Sequence, residues 1–91
     1  MEVIKENEYI CLKENNVIIE TYSFTEEINF RKLVEYLLSL NLSKKVTLFN
    51  NLKDLTNDEE NLINLICRIV DAYNENVENL DKFKQSYEKT N

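Results

Sequence analysis

A chain of 91 residues with 17 acids against 11 bases, a net charge of −6, and no glycine, proline, histidine or tryptophan is confined to few kinds of protein. The length allows one small domain with a modest core. The missing histidine and glycine remove the near-neutral imidazole base and the glycine-rich phosphate loop, and the acid excess disfavours direct contact with nucleic acid.

Ala72 is the only alanine and Arg31 and Arg68 the only arginines, while Asn, Leu, Glu, Lys and Ile abound, the mark of an AT-rich coding bias. The opening residues MEVIKENEYI have neither the basic start nor the apolar run of a secretion signal, and no apolar stretch nears the roughly 18 residues of a membrane span. A cytoplasmic protein without membrane contact is expected. Cys11 and Cys67 form no C-x-x-C and are too few for a disulfide framework, so each reads as a reduced apolar side chain.

Residues 9–24, YICLKENNVIIETYSF, read as two strands about Asn15-Asn16, because asparagine best replaces glycine at the positive φ angles of a tight hairpin. Pairing 14 with 17 places Ile10, Leu12, Val17, Ile19 and Thr21 on a core face and Tyr9, Cys11, Lys13, Ile18, Glu20 and Tyr22 on the other. Residues 2–5, EVIK, suit a short third strand at the edge.

Ser23 to Glu26 fits a capping box, and Thr25 followed by two glutamates fits an ordinary N-cap, so a helix is predicted from about residue 26. Phe30, Leu33, Val34 and Leu37 carry it to about residue 40. In residues 43–55, SKKVTLFNNLKDL, the spacing of Val46, Phe49, Leu52 and Leu55 favours a short helix, against the strand propensity of KVTLF.

Thr56-Asn57-Asp58-Glu59 is a second capping box, with three acids at the positive end of the helix dipole. From it Leu62, Ile66, Ile69, Tyr73, Asn76, Leu80, Phe83 and Tyr87 alternate steps of four and three, a heptad seam with Asn76 in the one polar slot. A helix over 57–88 would be about 48 Å long, whereas a compact chain of this size is roughly 30 Å across. Either the helix is continuous and residues 75–91 overhang, or it breaks near Asn74 to Asn76 and folds back. Lys82, Lys84 and Lys89 near the negative end match a single dipole and tilt the balance towards continuity. The expected fold is α+β in a single domain: an N-terminal β-hairpin or three-strand meander, then a small helical bundle with a long C-terminal amphipathic helix.

Among groups that carry chemistry, Cys11 on the second hairpin face is the more accessible thiol, yet no base accompanies it, and no enzyme is expected. Asp54, Thr56 and Asp58 imitate the first ligands of a calcium loop, but Glu59 stands where that loop needs glycine and Leu65 where it needs glutamate, so neither metal nor cofactor is expected. A DNA-reading helix beginning NDEEN would aim acids at phosphates.

Three surfaces remain as candidates for protein binding. Asp71, Glu75 and Glu78 recur at i, i+4 and i+7 as an acidic stripe suited to a basic groove, even one that holds nucleic acid on an enzyme. Residues 54–81 hold eight acids against Arg68 alone. Tyr9, Lys13, Ile18 and Tyr22 form a hairpin-face patch rich in interface-favoured types. Ile69, Tyr73, Asn76, Leu80 and Phe83 form a seam that suits a homodimer.

In size, acidity and coding bias the chain resembles the small antagonists that phages and other mobile elements use against host machinery, anti-CRISPR proteins among them. The resemblance implies a non-enzymatic inhibitor in host-cell cytoplasm, docking on a basic surface of a larger protein. A self-associating adaptor subunit, or an immunity or antitoxin protein, is the alternative.

Overall fold

The structure, a computed structural model, describes residues 1–90, with side chains through Ser86. Strands β1 (Glu2–Glu6), β2 (Tyr9–Glu14) and β3 (Val17–Tyr22) are followed by helix α1 (Arg31–Ser39), a two-residue strand β4 (Phe49–Asn50) and helix α2 (Asn57–Thr90). The sheet order is β3-β2-β1-β4, an antiparallel meander with β4 parallel to β1. The expected α+β fold is observed, and residues 2–6 lie inside the sheet instead of at its edge. Asparagine does the work of the missing glycine: Asn7, Asn15, Asn16 and Asn41 all take positive φ, and Asn15 (51°) with Asn16 (66°) has the left-handed pair of a type I′ hairpin turn.

The β2–β3 register begins as predicted, with Glu14 opposite Val17 and Lys13 opposite Ile18, and then slips: Leu12 pairs with Glu20, Cys11 with Thr21 and Ile10 with Tyr22. Ile19 is the extra residue of a β-bulge, and beyond it every side chain of β3 changes face. Glu20 and Tyr22 therefore turn inward beside Ile10 and Leu12, while Val17, 64% exposed, and Thr21 lie outside the core. The predicted patch loses Tyr22, which is 2% exposed and does not face Tyr9. Burying the larger aromatic in place of threonine favours this register; the ring packs 5.6 Å from that of Phe30, and its hydroxyl donates to Glu20 Oε2 at 2.6 Å.

Helix α1 starts five residues later than the local signals predict. Ser23 Oγ accepts from Thr25 N–H (3.3 Å) and bonds the Thr25 hydroxyl (2.8 Å), so the supposed capping box is a turn. The cap comes from the sheet: the Glu20 carboxylate accepts the N–H groups of Lys32 (3.3 Å) and Leu33 (3.2 Å), placing its charge at the positive end of the helix. The register slip brings Glu20 there, and Leu33 and Leu37 then bury.

Residues 43–56 are not the favoured helix. Val46 to Leu48 are irregular and Phe49–Asn50 a short strand, because their backbone groups find partners elsewhere: Asn74 on α2 accepts Val46 N–H and donates to Val46 C=O, each at 2.7 Å, in the manner of a neighbouring strand. The Tyr73 hydroxyl donates to Lys44 C=O at 2.6 Å. Phe49 N–H donates to Met1 C=O (2.8 Å), and the Met1 ammonium donates to Thr47 C=O (3.0 Å) and pairs with Glu14 (3.2 Å).

The second capping box forms as read: Thr56 N–H donates to Glu59 Oε1 (3.1 Å) and Glu59 N–H to Thr56 Oγ1 (3.2 Å). Lys5 of β1 closes on the same carboxylate at 2.9 Å. From there α2 runs unbroken for 34 residues, so the alternative of a break near Asn76 is not realised. The molecule measures 55 × 23 × 22 Å with a radius of gyration of 15.6 Å, against about 12 Å for a compact chain of this length. The buried stripe is Leu62, Ile63, Ile66, Val70, Tyr73 and Val77. It shares Leu62, Ile66 and Tyr73 with the predicted seam but departs from it at Ile69, Asn76, Leu80 and Phe83, because Ile63, Val70 and Val77 supply a second apolar column and the sheet packs on that side; the side chain of Tyr87, the seam's last member, lies outside the described residues. Among the described residues, Val77 is the last of α2 in the buried core cluster.

Candidate functional site

Once α2 has docked, its solvent side divides by helical arithmetic at 100° per residue. The back, turned roughly 110–170° from the centre of the buried stripe, carries Asp71, Glu75 and Glu78, all exposed. The predicted acidic stripe is thus assembled on one face, but its members differ. Asp71 and Glu75 open to solvent, whereas Glu78 is held between Lys45 Nζ (3.4 Å) and Lys82 Nζ (3.5 Å). First Lys45 and then Lys82 keep its carboxyl below the usual glutamate range.

The flank between the back and the core carries Leu65, Ala72, Asn76 and Phe83, exposed, and Ile69, half-buried. Asn76 donates to the Ala72 carbonyl at 3.1 Å on this exposed surface, so it is not the buried polar residue of a seam. Tyr73 is buried, Leu80 half-buried and Phe83 67% exposed. An apolar groove of about 260 Å³ opens at the flank's N-terminal end, where Phe24, Ile28 and Phe30 meet Leu62 and Leu65, with Asp58 and Asn61 on its rim.

The hairpin patch is dispersed. Tyr9 and Ile18 are exposed on the outer sheet face, Lys13 is half-buried and leans to Glu6 at 3.7 Å, and Tyr22 belongs to the core. Cys11, read as the accessible thiol, is buried with its sulfur 3.7 Å from the Thr21 hydroxyl. Cys67 is the more exposed of the two, and burial together with the Asp71 charge pushes its thiol pKa up, away from the thiolate a nucleophile requires. Among the described residues no group of three or more Cys, Asp and Glu side chains is placed to hold a metal ion, and no helix is long and apolar enough to cross a membrane.

Two side chains that organise these surfaces escape a reading by local pattern. Alternation assigns Glu20 to the outer face, and only the bulge brings it to α1. Asn74 falls in the stretch where a helix break is the alternative; an asparagine one position beyond a buried aromatic is its only signal. A cleft of about 380 Å³ between β3 and the start of α1 is bordered by Arg31 and Lys32, but the helix N–H groups beside it are already taken by Glu20. No family model matches this chain, and no curated protein or solved structure matches it either.

Proposed function

We propose that the protein is a non-enzymatic binding module that sets the acidic back of α2 against a basic surface of a larger protein, as an antagonist encoded by a phage or mobile element would. The observation that carries this reading is the pair Asp71 and Glu75, both exposed one turn apart on the solvent side of a helix whose other side anchors it to the sheet. A rigid row of carboxylates spaced by roughly 6 Å complements a groove built for phosphates. The partner class is therefore a basic, nucleic-acid-handling protein, with the acids occupying the nucleic-acid path.

Immobilised chain incubated with bacterial extract at low salt tests the proposal. Basic nucleic-acid-handling proteins should be retained, displaced by added DNA, and lost when Asp71 and Glu75 are replaced by lysine. Glu78→Gln should change retention by less than about threefold, since Lys45 and Lys82 already answer its charge. Retention that survives reversal of Asp71 and Glu75, or that DNA does not displace, refutes the electrostatic mechanism.

A further inference from the structure

We infer that the chain forms a twofold antiparallel dimer in which the projecting end of α2 lays Phe83 in the groove of Phe24, Ile28, Phe30, Leu62 and Leu65 on a second copy. The inference uses the flank of α2 and not its acidic back, so it stands or falls separately from the binding reading above.

Phe83 lies six residues beyond Val77, the last of α2 in the core cluster among the described residues, and is 67% exposed. An aromatic ring so placed on a helix needs an apolar receptor. Its own molecule carries one, but at the far end of the same flank, about 33 Å away at 1.5 Å per residue. No bend of a continuous helix can join them. A second copy running the opposite way can.

The register follows from the positions. Leu65, Ile69, Ala72, Asn76 and Phe83 fall within a sector of about 60° on the helical wheel, and no charged residue lies in that sector from Leu65 to Phe83. With the twofold axis at Ala72, Phe83 lies opposite Asn61, midway along the groove, and Leu80 lies opposite Asn64, beside Leu65. Ala72, the smallest side chain of α2, then meets its own copy where the two helices come closest. Both ring-in-groove contacts form at once, as an isologous interface requires. The α1 helix borders the same flank: Phe30 shares the groove with Leu65, and Leu38, 70% exposed, shares a shallow hollow with Tyr73.

Charge selects the same orientation. In this register Lys84 comes level with the first turn of the mate's α2, on the side of the interface where Asp58 is exposed. Opposite charges then meet at both ends of the interface, while Asp71 and Glu75 stay outside its apolar sector, about 120° and 80° round the helix from Phe83. A parallel pair would set each lysine and each acid against its own copy and leave both grooves empty.

Light scattering behind a sizing column, across a dilution series, tests the dimer. The full chain should elute at twice its mass when concentrated and at its single mass when dilute. Phe83→Asp should weaken self-association by about 30-fold or more, the effect of losing an aromatic anchor, with an unchanged circular dichroism spectrum because Phe83 lies outside the core. Lys84→Glu should weaken the dimer, and Asp58→Lys in the same chain should restore it. A single mass at every concentration overturns the proposal and assigns the tip to a foreign partner. A dimer indifferent to Phe83→Asp overturns it too, by placing the interface elsewhere.

Discussion

Glu20 ties three parts of the molecule together with one carboxylate, accepting from the Tyr22 hydroxyl and from two N–H groups at the start of α1. Because the group is buried, Glu20→Ala leaves those donors without an acceptor and should cost about 2–4 kcal/mol in urea unfolding. Its neighbour sets a limit at alkaline pH. Burial, then the hydrogen bond to Glu20 and its charge, raise the Tyr22 pKa above the usual value of 10.0. Above pH 10 the unfolded chain releases this proton while the folded chain keeps it, so stability falls as pH rises, by at most about 1.4 kcal/mol per pH unit. Urea melts between pH 8 and about 11 should show that decline, and Tyr22→Phe should reduce it. Tyr36 and Cys67, shifted in the same direction, leave a residual slope in the variant. An identical slope in both chains would contradict a buried Tyr22 phenol.

At the scale of elements, what could be read from sequence follows the span of the interaction. The Asn15-Asn16 turn and the Thr56/Glu59 capping box close within four residues, and both form as their residues predict. The start of α1 depends on a partner 12 or 13 residues away, and the conformation of residues 44–50 on one 28 residues away. Local spacing carries neither. Hence Val46 and Phe49, which share a helical period with Leu52 and Leu55, lie outside any helix. The surfaces follow the same rule: Asp71, Glu75 and Glu78 were legible as one helix face because their spacing is local, whereas Tyr22 left the hairpin patch through a bulge that strict alternation does not anticipate. Two asparagines of α2 offer a direct comparison. Asn74→Ala strips both partners from Val46 and should cost about 1–3 kcal/mol, with faster amide exchange across residues 44–50. Asn76→Ala removes only an exposed bond to Ala72 and should change stability by less than about 0.5 kcal/mol. Equal costs would mean that Asn74 is not what holds the segment.

For the molecule as a whole, the decisive feature is a helix longer than the domain it belongs to. Since Val77 is, among the described residues, the last of α2 in the core cluster, ending the chain after Asn79 should leave the urea midpoint within the small range of surface changes and reduce the largest dimension in solution scattering. A loss of folding on that truncation would mean that the tip supports the domain. The two faces of α2 can then be separated by substitution. Asp71 and Glu75 lie about 18 and 12 Å from Phe83 along the helix axis and outside its apolar sector, so changes at the two places should combine additively. Asp71→Lys with Glu75→Lys should abolish capture of basic proteins while the dimer mass is kept. Phe83→Asp should abolish the dimer while capture is kept, with any drop in apparent affinity limited to the loss of bivalence. If each substitution removed both properties, one surface would serve both, and the partner would have to dock across the dimer seam instead of on the outward acids.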